Sequence, residues 1–344
     1  MQTRLLPPTP EALGLAARLI RDGALVAFPT ETVYGLGANA LDEEAVRSIF
    51  AAKGRPGDNP LISHIAHMDQ LGPLIAADPA PAAVKLMDAC WPGPLTLIFP
   101  RSKRIPDAVT AGLDTAAVRM PSHPVARALI ERAGVPIAAP SANRSGRPSP
   151  TTAGHVLEDM DGRIPLILDG GPCDVGLEST VVDFKDGVPR ILRPGGVTRE
   201  MIADIAGDCL VDGAVMRPLK EGERPRSPGM KYRHYAPKGA LTLFAGHSAD
   251  VAARIRREYD AARLEGHSPL ILALEGDLPL YGERRTLSMG RDAHEAAQRI
   301  FAALRDADQL QADVLFAEAV TTDGIGLAVM NRLGRAAAFH IEQV

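Results

Sequence analysis

A chain of 344 residues, 46% of them hydrophobic, has the material for two globular domains with a core each. Its formal charge of −4 argues against bulk nucleic-acid binding, and no apolar run approaches the roughly 20 residues of a membrane span. Three scattered cysteines, Cys90, Cys173 and Cys209, form neither a metal spacing nor a disulfide framework. The opening MQTRLLPPTPEALG lacks the basic and apolar regions of a signal peptide, so a reducing cytoplasm is the expected compartment.

In chain order, Thr9 as N-cap and Pro10 at the first helical position open a helix that Gly23 closes. ALVAFP follows as a short apolar strand. PTETVYGLGANA, residues 29–40, reads as a loop whose glycines let the backbone approach a ligand, although it is neither G-x-G-x-x-G nor a P-loop. Asp42 caps a helix that runs to Lys53. LISHI, LTLIF, AAVRM, PIAAP, PLILD, STVVDF and VPRIL are short strand candidates, with helical patterns near 79–90, 123–133, 152–160 and 198–206. Residues 1–208 are therefore expected to form an α/β domain with a large mixed sheet. Residues 209–238 show no helix or strand period and read as a linker. Within it, residues 213–238 carry seven Lys and Arg against two Glu, net +5, between blocks of net −5 (20 against 25 over 1–212) and −4 (11 against 15 over 239–344). Such a segment is either a solvated linker or a strap that meets an anion. Residues 239–344 alternate strands with helices at 248–264, 291–307 and 326–337, the pattern of a smaller domain with a parallel, Rossmann-like sheet.

Four places gather reactive side chains. AAKGRPGDNPLISHI puts Lys53, Arg55, Asn59 and His64 within a dozen residues, where the plain reading of the cations is a solvated helix end. DTAAVRMPSHP sets Arg119 in an apolar strand, so it needs an anionic partner, either a ligand or an internal carboxylate. APSANRSGRPSPT, residues 139–151, offers hydroxyl, amide and N–H donors to phosphate oxygens, and equally is a polar turn. GLESTVVDFKDGVPRILRPG reads as a hairpin turning at Asp186-Gly187, with Ser179 and Thr180 at the start of one strand and Arg193 just after the other. No Ser-His-Asp spacing, H-E-x-x-H or Cys-His set is present. The inventory suits binding and polarising phosphates and carboxylates rather than supplying a protein nucleophile.

PTETVYGLG, KGRPGDNPL, WPGPLT, VRMPSHP, SANRSGRPSPT, GLESTVVD and LRPG occur in the order found in the YrdC/Sua5 family, which the first 208 residues closely resemble. The linker SPGMKYRHYAP and the domain after it resemble the longer Sua5 form. The resemblance implies a YrdC-like twisted mixed sheet followed by a Sua5-type domain. It implies synthesis of threonylcarbamoyl-AMP from L-threonine, bicarbonate or CO2, and ATP, for the N6-threonylcarbamoyl modification of tRNA adenosine 37. By the same resemblance Lys53, Arg55, Asn59, Thr115, Ser141, Asn143, Ser149, Arg193, His234 and Tyr235 meet the nucleotide. Thr32, His64, Arg119, Ala139 and Ser179 meet threonine, and Lys53, Arg55 and His64 are the catalytic candidates. Mg²⁺ is expected on the ATP phosphates, with no protein metal site and no organic cofactor. The basic strap would reach back over the site. The partner expected downstream is the tRNA threonylcarbamoyl transferase complex; direct tRNA contact is allowed but not required.

Two rival readings are weaker. An RNA-binding module lacks the electrostatic footprint, since residues 1–212 carry net −5. A carbamoyltransferase fed by carbamoyl phosphate would bring zinc fingers that three cysteines cannot build. The C-terminal domain has no glycine fingerprint; it is expected to anchor the strap and modulate product release.

Overall fold

The computed structural model describes residues 2–218 and 235–344. They divide into two compact units, one of residues 2–145 and 149–215 and one of residues 146–148, 216–218 and 235–344. No helix among the described residues is long and apolar enough to cross a membrane.

The first unit contains eleven strands: β1 (Arg4–Leu6), β2 (Val26–Phe28), β3 (Gly35–Asn39), β4 (Ile62–His64), β5 (Leu95–Pro100), β6 (Thr115–Arg119), β7 (Ile137–Ala138), β8 (Leu166–Leu168), β9 (Thr180–Lys185), β10 (Val188–Arg193) and β11 (Leu210–Val211). They form one mixed sheet in the order β1-β8-β2-β3-β7-β4-β6-β5-β9-β10-β11. The helices are α1 (Pro10–Arg21), α2 (Glu43–Lys53), α3 (Pro81–Cys90), α4 (Asp107–Thr110), α5 (Pro124–Ala133), α6 (Ala153–Met160) and α7 (Arg199–Ala206). Side chains alternate across each strand, so the sheet has two distinct faces. On one face α2, α3, α6 and α7 bury Ala27, Leu36, Leu97, Val118, Ala138 and Val182. On the other, α1 and α5 cover Val26, Phe28, Ile137, Leu166 and Leu168, and their apolar cluster includes no residue of β5, β6, β9 or β10. That part of the second face, outside the apolar cluster, is where the polar residues collect.

Local chemistry sets the elements. The Asp42 carboxylate accepts from the Glu44 and Ala45 N–H groups at 3.0 and 3.1 Å, a cap that contributes about 1 kcal/mol. Gly54, at φ 63°, ends α2 in the left-handed region and so fixes where Lys53 emerges. The hairpin β9–β10 turns at Asp186 and Gly187, both with positive φ (54° and 81°), the primed turn that matches strand twist.

Residues 29–40 differ from the loop read in the sequence. Gly35–Asn39 is strand β3, and Gly37 makes room for protein rather than ligand: a Cβ there would lie 2.7 Å from both Phe28 and Ile137. The strands β1, β11, β14 (Thr286–Ser288) and β16 (Ile341–Gln343) and the helical turn α4 also lacked a sequence signal, being two to four residues long.

The second unit holds β12 (Ala240–Ala245), β13 (Pro269–Ala273), β14 (Thr286–Ser288), β15 (Val314–Glu318) and β16 (Ile341–Gln343), with α8 (Ser248–Leu264), α9 (Ala293–Gln309) and α10 (Gly326–Ala336). All four strand pairs are parallel, in the order β14-β13-β15-β12-β16.

Candidate active site

Register places the candidates on one face. In parallel β4–β6, His64 lies opposite Arg119. In antiparallel β5–β6, Thr96 lies opposite Arg119 and Pro100 opposite Thr115. Thr96 is opposite Val181 in β9, and His64 is opposite Ile137 in β7. Directly paired residues share a face. His64, Thr96, Thr115, Arg119, Ser179 and, two positions after Ile137, Ala139 therefore share the face that α1 and α5 partly cover.

Arg193 would not join them in a regular ladder. It would lie opposite Thr180 and share the core face of Ile191. The register shifts between Ile191 and Arg193, however, and Arg193 pairs with Val181 instead. The extra residue, Leu192, is a β-bulge that turns Arg193 to the site face. There its Nε donates to Ser179 O (3.1 Å) and its guanidinium to Ser179 Oγ (3.1 Å). Gly195 permits the following backbone to close in: a Cβ there would lie 2.4 Å from Glu178 O and Thr180 N. The Thr180 hydroxyl is used internally, donating to Val197 O and accepting from Val197 N–H.

Arg119 is the centre of one group. Its Nε donates to Gly93 O at 3.2 Å, one terminal nitrogen donates to Thr32 Oγ1 at 2.8 Å, and the other lies 2.8 Å from Glu31 Oε1. The internal salt bridge is thus real, and its carboxylate is Glu31. Both residues are buried. Burial opposes ionisation of Glu31, yet Arg119 and the Ser122 N–H, 3.1 Å from Oε1, hold its pKa below the usual carboxylate value.

Proton counting fixes what each group can still offer. The Thr30 hydroxyl donates to Val33 O (2.7 Å), so across the 2.8 Å contact between the two threonine hydroxyls it is Thr32 that donates. With its proton spent on Thr30, Thr32 Oγ1 can only accept. His64 Nδ1 lies 3.2 Å from Ile137 O, which can only accept, so Nδ1 carries the proton and Nε2 is an acceptor. Burial, then the Arg119 charge, pushes the His64 pKa down to about 3, so the ring is neutral at pH 7. A neutral ring of this tautomer does not donate through Nε2.

A second group surrounds Lys53 at the end of α2. Its ammonium donates to Ser141 O (2.5 Å), Asn143 O (2.6 Å) and Asn143 Oδ1 (3.3 Å), and Ser141 Oγ donates to Asn143 Oδ1 (2.6 Å). Ser145 N–H returns to Lys53 O. Arg55 lies over the Phe50 ring and donates to Asn59 O at 2.9 Å. The Asn59 side-chain amide is buried with no hydrogen-bond partner for either atom. Ser149 donates its hydroxyl to Glu178 Oε1 at 2.5 Å, so toward a ligand it stands as an acceptor.

The remaining candidates fall apart from these groups. Thr115, at the other end of β6 from Arg119, lines a cavity of about 570 Å³ with Ile98, Pro100, Asp183, Phe184 and Leu192. Ala139 N–H is used by Ile62 O, so a ligand would meet that backbone through its carbonyl. Tyr235 belongs to the second unit, where it stacks on Phe301 with Arg332 over its ring. His234 lies outside the described residues. The sequence reading missed Glu31, Thr30, Thr96 and Glu178. Thr96 is buried, its hydroxyl 2.7 Å from Ser179 Oγ. Only the period of β5, which sets Thr96 on the Arg119 face, could have shown it.

Among the described residues no cluster of His, Cys, Asp or Glu is suited to hold a metal. What these residues gather instead are guanidinium and hydroxyl groups on one sheet face, with an ammonium and amides around the end of α2, which defines an α/β domain suited to a small anionic ligand. The chain belongs to the Sua5–YciO–YrdC family. A family model described as telomere recombination matches residues 18–195, and one described as threonylcarbamoyl-AMP synthase, C-terminal domain, matches residues 197–338. The chain is 47% identical to a threonylcarbamoyl-AMP synthase of Pyrococcus abyssi (strain GE5 / Orsay), over 96% of this chain and 95% of that one. It is 48% identical to that of Bacillus subtilis (strain 168), over 95% and 93%. The crystal structure of P. abyssi Sua5 complexed with L-threonine superposes with a TM-score of 0.92 at 45% identity, covering 100% of this chain and 99% of that chain.

Proposed function

We propose that this chain is a threonylcarbamoyl-AMP synthase, joining L-threonine, CO2 or bicarbonate, and ATP to give threonylcarbamoyl-AMP and pyrophosphate. The observation that carries the reading is the gathering of His64, Arg119, Ser179 and Arg193 on one sheet face by register and a bulge. Full-length similarity to enzymes of that name supports it.

In this reading the Arg119 fork receives the threonine carboxylate. Thr32 Oγ1 and His64 Nε2 accept from the ammonium and hydroxyl, and Ser179 and the Ala139 carbonyl complete the contacts. The amine, once deprotonated, adds to CO2 and gives a carbamate; from bicarbonate, water is also lost. A carbamate oxygen attacks the α-phosphorus and the bond to pyrophosphate breaks. Lys53 and Arg55 neutralise the phosphate charge, with Asn59, Ser141, Asn143, Ser149 and Arg193 orienting the nucleotide and Thr115 beside its cavity. Holding reactants in line and offsetting charge supply most of the acceleration in such a transfer. Mg²⁺ would arrive on the ATP phosphate oxygens, which suits a phosphate end made of cations and neutral donors. The adenylate would pass in the cytoplasm to a transferase acting on tRNA.

The test is pyrophosphate release by the purified protein with threonine or bicarbonate left out in turn. Release that needs both, with an adenylate product, is expected. Release independent of threonine would overturn the assignment, and salt-sensitive RNA binding without turnover would favour the RNA-binding alternative.

A further inference from the structure

Arg119 does not wait for its ligand as a bare cation. Glu31, only 6% exposed, sits 2.8 Å from it, and among the described residues the second Glu31 oxygen accepts no hydrogen bond. Leaving a buried carboxylate oxygen without a donor is costly, so a counter-ion serving architecture alone would be expected to have both oxygens satisfied. With His64 neutral, the charges gathered at Arg119 sum to zero before anything binds. The remaining capacity of the neighbours is of one kind: Thr32 Oγ1 and His64 Nε2 are acceptors, their protons being used by Thr30 and by Ile137 O. One cationic fork, one carboxylate and two acceptors complement a ligand that is itself net neutral, with a carboxylate and an ammonium.

We propose that Glu31 is a specificity-determining residue: by neutralising Arg119 it makes the pocket of Thr32, His64, Arg119 and Ser179 accept an α-amino acid as its zwitterion and reject the same acid without its ammonium group. The proposal rests on the reading that threonine is the substrate, and it adds why the amine must enter charged. It also gives a direction to release. Once the nitrogen is carbamoylated its positive charge is gone, and Glu31 then competes with the ligand carboxylate for Arg119.

The experiment is calorimetric binding of L-threonine and of 2,3-dihydroxybutanoate, in which a hydroxyl replaces the amine, to wild type, Glu31→Gln and Glu31→Asp. Wild type should prefer threonine by about 100-fold, the range of a buried charge contact. Glu31→Gln should weaken threonine and tighten the deaminated acid, so that the preference collapses to about tenfold or less, whereas Glu31→Asp, which keeps the charge, should retain most of it. Equal weakening of both ligands in Glu31→Gln would mean that Glu31 only props up Arg119, and would overturn the proposal. Should Glu31→Gln fail to fold, wild type decides: L-threoninamide and 2,3-dihydroxybutanoate, one charge off in either direction, should both bind far more weakly than threonine, and equal binding of either would overturn it. Absence of threonine binding to wild type would overturn the synthase reading itself; threonine binding with an unchanged ratio overturns this proposal alone.

Discussion

Arg119 and Lys53 are both buried cations at the last residue of an element, β6 in one case and α2 in the other. Their surroundings differ. Arg119 faces a carboxylate, Glu31, and its charge is cancelled within the fold. Among the described residues, Lys53 donates to oxygens of Ser141 and Asn143, which are neutral. Neutral oxygens orient an ammonium and leave its charge in place, whereas a carboxylate removes it from the field beyond. The first arrangement suits an amino acid of no net charge and the second a polyanion such as triphosphate. In the proposed function the two cations therefore divide the work, Arg119 toward the amino acid and Lys53 toward the phosphates.

Removing Arg119 should break this comparison most severely. Arg119→Ala takes away the carboxylate fork and strands Glu31 as a buried charge, so stability should fall by about 3–5 kcal/mol in urea unfolding. Catalytic efficiency toward threonine should fall by about 10³-fold in the pyrophosphate assay. Lys53→Met should lower kcat by about 10²–10³-fold while calorimetric threonine affinity stays unchanged. Loss of threonine binding in that variant would show that the two groups are not separable.

His64 sharpens the contrast through pH. Its folded pKa is depressed, from 6.5 to about 3, so the unfolded chain takes up a proton that the folded one refuses. Its contribution to stability is therefore complete above pH 6.5 and declines as pH falls from there toward about 3, by up to roughly 1.4 kcal/mol per pH unit. Urea titrations at several pH values should show that slope in wild type and lose it in His64→Gln. A shallower effect is expected at Thr96. Thr96→Val removes the hydroxyl beside Ser179, costing about 0.5–1.5 kcal/mol and raising KM for threonine a few-fold, with kcat nearly unchanged.

What could be read from the chain follows from how local each signal is. Asp42 and Gly54 delimit α2, and Asp186-Gly187 forms the hairpin turn, because caps and turns are chosen by neighbouring residues. The all-parallel second sheet was legible from strand and helix alternation. β3 was not, because the glycines at 35 and 37 that read as a loop are there to admit Phe28. Most positions of the site came from a resemblance spread over many motifs. Glu31 lies in one of those motifs, but its partner Arg119 is far along the chain, and the segment between β2 and β3 that carries Glu31 meets the end of β6 only in the folded domain. Acceptor or donor status was equally hidden, since the role of Thr32 is fixed by the proton of Thr30 and that of His64 by the carbonyl of Ile137.

The extra residue in β10 has a consequence for how this chain tolerates changes of length. Leu192 carries no chemistry, and replacing it by another apolar residue would alter only packing. Deleting it would put Arg193 directly after Ile191, still opposite Val181 and on the site face, so the ladder would become regular without turning the guanidinium to the core. In a library of single-residue deletions this position should therefore be tolerated far better than loss of Arg193 itself, and shortening the β9–β10 strands by one matched pair next to the turn likewise preserves the phase. When relatives are aligned, a gap opened between 191 and 193 marks a chain that holds its arginine on the same face without the bulge.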